Sequence, residues 1–118
     1  MITDEMNEFR KELPSRILDA RLDRNDMLVI HCQAFRVGIA CDFEINLSGK
    51  TFTTPADHLE AVNRLKLLNV QGARLEYRID YPDLRLELDD CGYIRTISDS
   101  VGNELWYIDV PGGMFITP

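Results

Sequence analysis

The sequence predicts a single α+β domain, an antiparallel twisted β-sheet of meander type with one main helix packed on it and a short N-terminal helix. Three observations predict it. Runs of strand length with alternating apolar and polar residues fill most of the chain. One stretch, 55–68, has helical spacing, with a cap and a proline at its start. The 118 residues, 45% of them apolar, supply one hydrophobic core and not two. The expected division is an N-terminal helical segment over 1–14, first strands over 16–54, the main helix over 55–69 and a C-terminal β-meander over 70–118.

In ITDEMNEFRKELP, Thr3 can cap the amides of a first turn, and Asp4 and Glu5 suit the positive end of the helix dipole. Met6, Phe9 and Leu13 share a face and Pro14 ends the run. A short amphipathic helix follows, lying against the sheet or ordering with a partner. From Arg16 the period becomes two: Leu18, Ala20 and Leu22 alternate with Asp19, Arg21 and Asp23. Arg24-Asn25-Asp26 makes a tight turn, and the more continuous apolar run 27–32 reads as a central strand buried on both faces. One or two further strands follow, with Phe43, Ile45 and Leu47 opposite Asp42, Glu44 and Asn46 and a turn at Ser48-Gly49-Lys50.

The main helix opens with Thr54 as cap, Pro55 at the first helical position and Asp57 in the first turn. Leu59, Val62, Leu65 and Leu68 give it an apolar stripe for one face of the sheet, and Asn69 lies near its stop. Strands then return. Leu75, Tyr77, Ile79 and Tyr81 alternate with Arg74, Glu76, Arg78 and Asp80, and Leu84, Leu86 and Leu88 alternate with Arg85 and Glu87. Pro82-Asp83 and the DDCG at 89–92 are the turns. In the last predicted strand Trp106 shares its parity with Ile108 and Val110, so it belongs in the core. Pro111 cannot donate to a ladder and the two following glycines permit positive φ, so the strand stops there.

Composition bounds the function classes. Thirteen basic against 20 acidic residues give a formal charge of −7, which opposes the phosphate field of nucleic acid and of anionic membranes and suits a basic protein partner. No apolar run approaches the ~18 residues of a membrane span, and the acidic N-terminus is unlike a secretory signal. The expected location is cytoplasmic. Cys32, Cys41 and Cys91 form no close pair and are expected as buried thiols. A Cys32–Cys41 link is the alternative, and it needs facing strands and an oxidising compartment.

Residues for chemistry are few. Nucleophilic catalysis needs a base beside the nucleophile, and the two histidines, His31 in LVIHCQ and His58 in the main helix, lie in no nucleophile motif. No metal motif brings His31, Cys32 and Cys41 together. The run Asp80, Asp83, Glu87, Asp89, Asp90 lacks the alternate ligands of a calcium loop and reads as a solvated acidic face. Asp89-Asp90 sits in a turn where water keeps both ionised. The expectation is a protein that is not an enzyme and holds no metal or cofactor.

The tail adds a resemblance. LRLELDDCGYI, followed by ELWYIDVPGG, resembles the C-terminal half of a family of small bacterial domains with an L-x-L-x-F/L strand, an Asp-Gly turn and an E-x-W-x-L/I strand ending in Pro-Gly-Gly. Leu84, Leu86 and Leu88 match the first strand, Glu104, Trp106 and Ile108 the last, and Pro111, Gly112 and Gly113 the stop; Cys91 splits the turn. Domains of this size and acidity also resemble the immunity proteins of bacterial toxin systems, including contact-dependent inhibition. The resemblance implies a non-enzymatic role: binding and neutralising one cognate toxin, a nuclease whose basic cleft would accept carboxylates. The expected partner-binding residues are the outward carboxylates of the meander, Glu76, Asp80, Asp83, Glu87, Asp89 and Asp90, with Tyr77 and Tyr81 as aromatic anchors if their parity does not bury them. A small structural or regulatory domain that self-associates through a sheet edge is the alternative.

Overall fold

The computed structural model describes residues 2–53, 55–77, 82–97 and 106–118. The Thr54 cap, the alternation at Arg78, Ile79, Asp80 and Tyr81, the loop 98–103, and Glu104 and Leu105 therefore lie outside the described residues. The elements are α1 (Ile2–Phe9), β1 (Ser15–Leu22), β2 (Leu28–Cys32), β3 (Arg36–Ile39), β4 (Asp42–Leu47), β5 (Lys50–Phe52), α2 (Pro55–Asn63), β6 (Asn69–Tyr77), β7 (Pro82–Leu88), β8 (Tyr93–Ile97), β9 (Trp106–Val110) and β10 (Met114–Ile116). The described strands form a mostly antiparallel sheet, ordered β10-β9-β3-β2-β1-β6-β7-β8-β4-β5. With a short N-terminal helix and one further helix, the fold is α+β.

β1 is the hinge of this order. Its first two residues pair with β6, Ser15 with Val70 and Arg16 with Asn69, and from Ile17 onward it pairs with β2. Between Ile17↔Cys32 and Asp19↔His31 the register shifts, so Leu18 is the extra residue of a β-bulge. A bulge moves every later side chain to the other face. Ile17 is therefore buried and Leu18, expected inward, is 47% exposed, while Ala20 and Leu22 pack against the core farther on. The 24–26 turn is held as the residue types suggest: one Asp23 carboxylate oxygen accepts from the amides of Asn25 and Met27 at 2.8 and 3.0 Å.

β2 lies between β1 and β3 and buries Leu28, Val29, Ile30 and Cys32, as a central strand should. β4 and β5 close around Ser48 and Gly49, both at positive φ (53° and 82°), the geometry of a two-residue hairpin turn.

α2 is shorter than its apolar stripe predicts. It ends at Asn63, after which Arg64, Leu65 and Leu68 donate to carbonyls three residues back, and the chain runs alongside β1, with Leu67 N–H donating to the Ile17 carbonyl and Ile17 N–H to that of Leu68, each at 2.8 Å. That exchange satisfies Ile17 on the side where β6 has already diverged from β1. A continued helix would leave those groups without partners. Ala61, Val62 and Leu65 are buried, whereas Leu59, expected in the stripe, is exposed. α2 packs against β1, β4 and β5.

The Pro-Gly-Gly stop is a hairpin turn. Pro111 and Gly112 (φ 103°) occupy the centre, Gly113 N–H closes on the Val110 carbonyl at 3.4 Å, and β10 returns beside β9. Sequence reading ends the sheet at β9; a three-residue strand such as Met114–Ile116 is too short to show a period. Trp106 and Ile108 are fully buried, as their parity predicts. The core joins both halves of the sheet: Phe9 of α1 meets Phe35 edge-on with centroids 4.7 Å apart, and Ile30, Ile39, Ile45, Leu84, Leu86 and Trp106 belong to the same cluster.

Candidate partner-binding face

The strands β6, β7, β8 and β4 put a row of charges in register on their outer face. Arg74 pairs with Arg85, Arg85 with Arg95, and Arg95 with Glu44. Three cations directly opposite one another repel, so the row is held by carboxylates beside it. Arg85 Nε donates to Glu87 Oε1 at 2.7 Å, Arg95 Nη2 reaches Glu44 Oε1 at 2.6 Å, and Arg74 lies 3.8 Å from Glu76 and 3.9 Å from Glu87. The Arg85 guanidinium also stacks over the Tyr93 ring, 4.0 Å from its centroid. Burial disfavours the Arg85 charge. The hydrogen bond and charge of Glu87, with Glu76 and Tyr93 adding, outweigh it and raise the pKa above its ordinary value. Two atoms in this network, Arg95 Nε and Glu76 Oε1, are buried without a hydrogen-bond partner among the described residues.

The six expected carboxylates do not form one acidic surface. Glu76 and Glu87 share the outer face but are neutralised by Arg74 and Arg85. Asp83, expected outward in a turn, is a β7 residue only 1% exposed. The β7–β8 ladder runs from Glu87↔Tyr93 to Arg85↔Arg95; beyond it the Thr96 hydroxyl substitutes for backbone, accepting from Leu84 N–H at 2.9 Å and donating to Asp83 Oδ1 at 3.0 Å. Asp83 is thereby drawn inward. Asp89 and Asp90 lie in a 3-10 turn after β7, at the opposite end of the β6–β7 hairpin from Glu76. Asp89 is a structural acceptor: it takes Gln71 Nε2 at 2.6 Å, Asn69 N–H at 2.8 Å and Asn69 Nδ2 at 3.2 Å. The Gln71 hydrogen bond foremost, then that of the Asn69 backbone, lowers its pKa. Asp90 is exposed, at φ 57°. Asp80 and Tyr81 lie outside the described residues. Tyr77 shares the parity of Ala73 and Leu75 yet reaches past the core and is 66% exposed, against the expectation that its parity buries it.

The arginine row is what sequence reasoning missed. Its signal was present in the opposite charges two residues apart at Arg74 and Glu76 and at Arg85 and Glu87, which share a face of a strand. The register that lines the strands up is a tertiary property.

The other candidates separate in space. His31 pairs in register with Asp19 and Arg36, and Arg36 with Asp109; Arg36 and Asp109 form an ion pair at 3.1 Å. His31, Arg36 and Asp109, with Gln33 and Pro111, line a shallow cavity of about 250 Å³. His58 stacks on Phe43 with centroids 4.1 Å apart and takes no part in that cavity. All three cysteines are free, and Cys91, expected buried, is exposed. Among the described residues no group of three or more His, Cys, Asp or Glu side chains is arranged to hold a metal ion, and no helix is long and apolar enough to cross a membrane. Comparison with protein-family models, curated proteins and solved structures returns no significant match.

Proposed function

We propose that the chain is a non-enzymatic, immunity-type protein that binds and neutralises a cognate bacterial toxin domain in the cytoplasm, with the outer face of β6, β7, β8 and β4 as its docking surface. The observation that carries the reading is the Arg74–Arg85–Arg95–Glu44 row with its flanking carboxylates. Arginine and tyrosine are the residues that anchor protein interfaces, and they sit here on regular strands where their positions are fixed before a partner arrives. A sheet with the usual right-handed twist would present the row as a saddle and not as a plane.

The charges on this face favour a chemistry of recognition other than the expected one. A bare acidic surface would imitate phosphates to a nuclease cleft. This face instead sets three arginines beside carboxylates, so the matching partner presents carboxylates as well as cations. The −7 charge of the whole chain still favours a basic toxin and accelerates encounter.

Titration calorimetry against the C-terminal domain of the protein encoded immediately upstream, at low and moderate salt, tests the reading. Nanomolar 1:1 binding that weakens with salt is expected, and Arg74→Glu should weaken it at least tenfold, about 1.4 kcal/mol. Asp90→Lys separates contact from steering, since an exposed rim charge should change the association rate more than the dissociation rate. Absence of binding at both salts removes this partner, and binding untouched by Arg74→Glu removes this face.

A further inference from the structure

Two irregularities of the backbone turn leucines to solvent at one place. The bulge in β1 exposes Leu18 (47%), and the reversal after α2 exposes Leu67 (63%). They are neighbours because Leu67 N–H donates to the carbonyl of Ile17 at 2.8 Å. Leu67 has φ 76°, the left-handed region that a branched side chain rarely adopts and that glycine or asparagine usually fills. The fold accounts for the backbone there, since the chain must reverse for residues 67 and 68 to bond to Ile17. It does not account for a leucine, whose side chain adds little to the core.

The charge around this pair opposes that of the molecule. Arg16, Arg21, Arg64 and Lys66 are exposed in the two segments that meet here, against the carboxylates of Asp19 and of Asp89, whose charge Arg16 faces. Arg64 turns to the Phe52 ring, 5.9 Å from its centroid. Arg16, Arg21 and Lys66 have no carboxylate within ion-pair distance among the described residues. In a chain of net charge −7, this is an apolar spot with a basic rim.

We propose that Leu18 and Leu67, rimmed by Arg16 and Lys66, form a docking surface for an acidic segment of a partner protein that carries apolar side chains between its carboxylates. The apolar pair supplies the desolvated centre and the cations supply orientation and encounter rate. Charge complementarity selects this occupant over the basic partner of the outer face of β6–β8 and β4, so the two surfaces are independent. A lipid surface suits it less, because the remaining acidic surface is repelled by anionic headgroups.

Amide NMR titration of the whole chain with a synthetic dodecapeptide of alternating leucine and glutamate tests the proposal, beside the same peptide with lysine for glutamate and vesicles of phosphatidylcholine and phosphatidylserine. The expected result is saturable shifts confined to residues 16–19 and 64–68, weakened by salt, with the lysine peptide and the vesicles inert. Leu67→Gly removes the side chain and relieves the left-handed strain, so it should melt at the same or a higher temperature while weakening peptide binding about fivefold or more; Lys66→Glu should weaken it likewise. The proposal is overturned by absent or scattered shifts, by equal binding of the lysine peptide, or by Leu67→Gly binding as well as the wild type. Binding to the vesicles without binding to the acidic peptide overturns it in favour of a membrane surface.

Discussion

The indole N–H of Trp106 donates to the carbonyl of Pro82 at 3.0 Å, tying β9 in one half of the sheet order to the first residue of β7 in the other. Among the described residues no ladder joins these two strands, so the bond and the buried ring add a link across the core to the one that β1 makes within the sheet. Trp106→Phe keeps most of the apolar volume and strands the Pro82 carbonyl, and should cost about 1–3 kcal/mol. Trp106→Ala also opens a cavity and should cost about 3–5 kcal/mol. Urea unfolding measures both, and equal midpoints for wild type and Trp106→Phe would show that the bond contributes nothing.

Gly38 is required by a neighbour and not by its backbone. It pairs in register with Tyr107, whose ring lies over it, so that a Cβ at this position would collide with Tyr107 Cε1 and Cζ and approach Met27 Cε. The same ring stacks on Phe115 with centroids 5.4 Å apart. Gly38→Ala should therefore displace Tyr107 and cost about 1–3 kcal/mol. In a Tyr107→Ala background most of that cost should vanish, a coupling that a double-mutant cycle reads directly.

These relationships mark where sequence reasoning succeeds and where it stops. The antiparallel α+β character, the central strand at Leu28–Cys32 and the burial of Trp106 follow from period and composition, which act locally. The Leu18 bulge is invisible because the alternation around it continues unbroken in the sequence while the ladder skips a residue. The end of α2 at Asn63 is set by the needs of Ile17, some forty-five residues earlier. Asp83 reads as a turn residue from the Pro-Asp pair, and only the Thr96 hydroxyl across the sheet explains why it is inside. The alternating charges of β6 and β7 were legible one strand at a time, but the arginine row depends on register, which no single strand encodes.

Asp89 makes stability depend on pH with a definite sign. Hydrogen bonds from Gln71, the Asn69 backbone and the Asn69 side chain lower its folded pKa, so the folded state favours the ionised carboxylate. A depressed folded value means that the stabilisation is present above the ordinary carboxylate range and is lost as pH falls through the folded pKa. Unfolding curves of wild type and Asp89→Asn should differ at neutral pH and converge in acid. The register of β6 on β7 shifts between Val70↔Leu88 and Gly72↔Glu87, which leaves Gln71 as a bulge; if the difference between the curves is constant from neutral to acid pH, the Asp89 carboxylate does not hold that bulge.

Thiol reactivity should separate the three cysteines by their surroundings. Burial pushes the Cys32 thiol up to about 12. Cys41 is pushed up to about 11, first by burial and then by the nearby charge of Asp83. Thiolate is the nucleophile, so at about pH 8 both residues hold almost none of the reactive form, whereas Cys91 stands exposed in its turn. Brief treatment of the folded protein with iodoacetamide should add one carbamidomethyl group, mapped by peptide mass spectrometry to Cys91, and the other two should react only after denaturation. Labelling of Cys41 at a rate close to that of Cys91 would mean that the segment joining β3 to β4 opens readily, and it would loosen the packing of Cys41 near Asp83 on which its raised pKa depends.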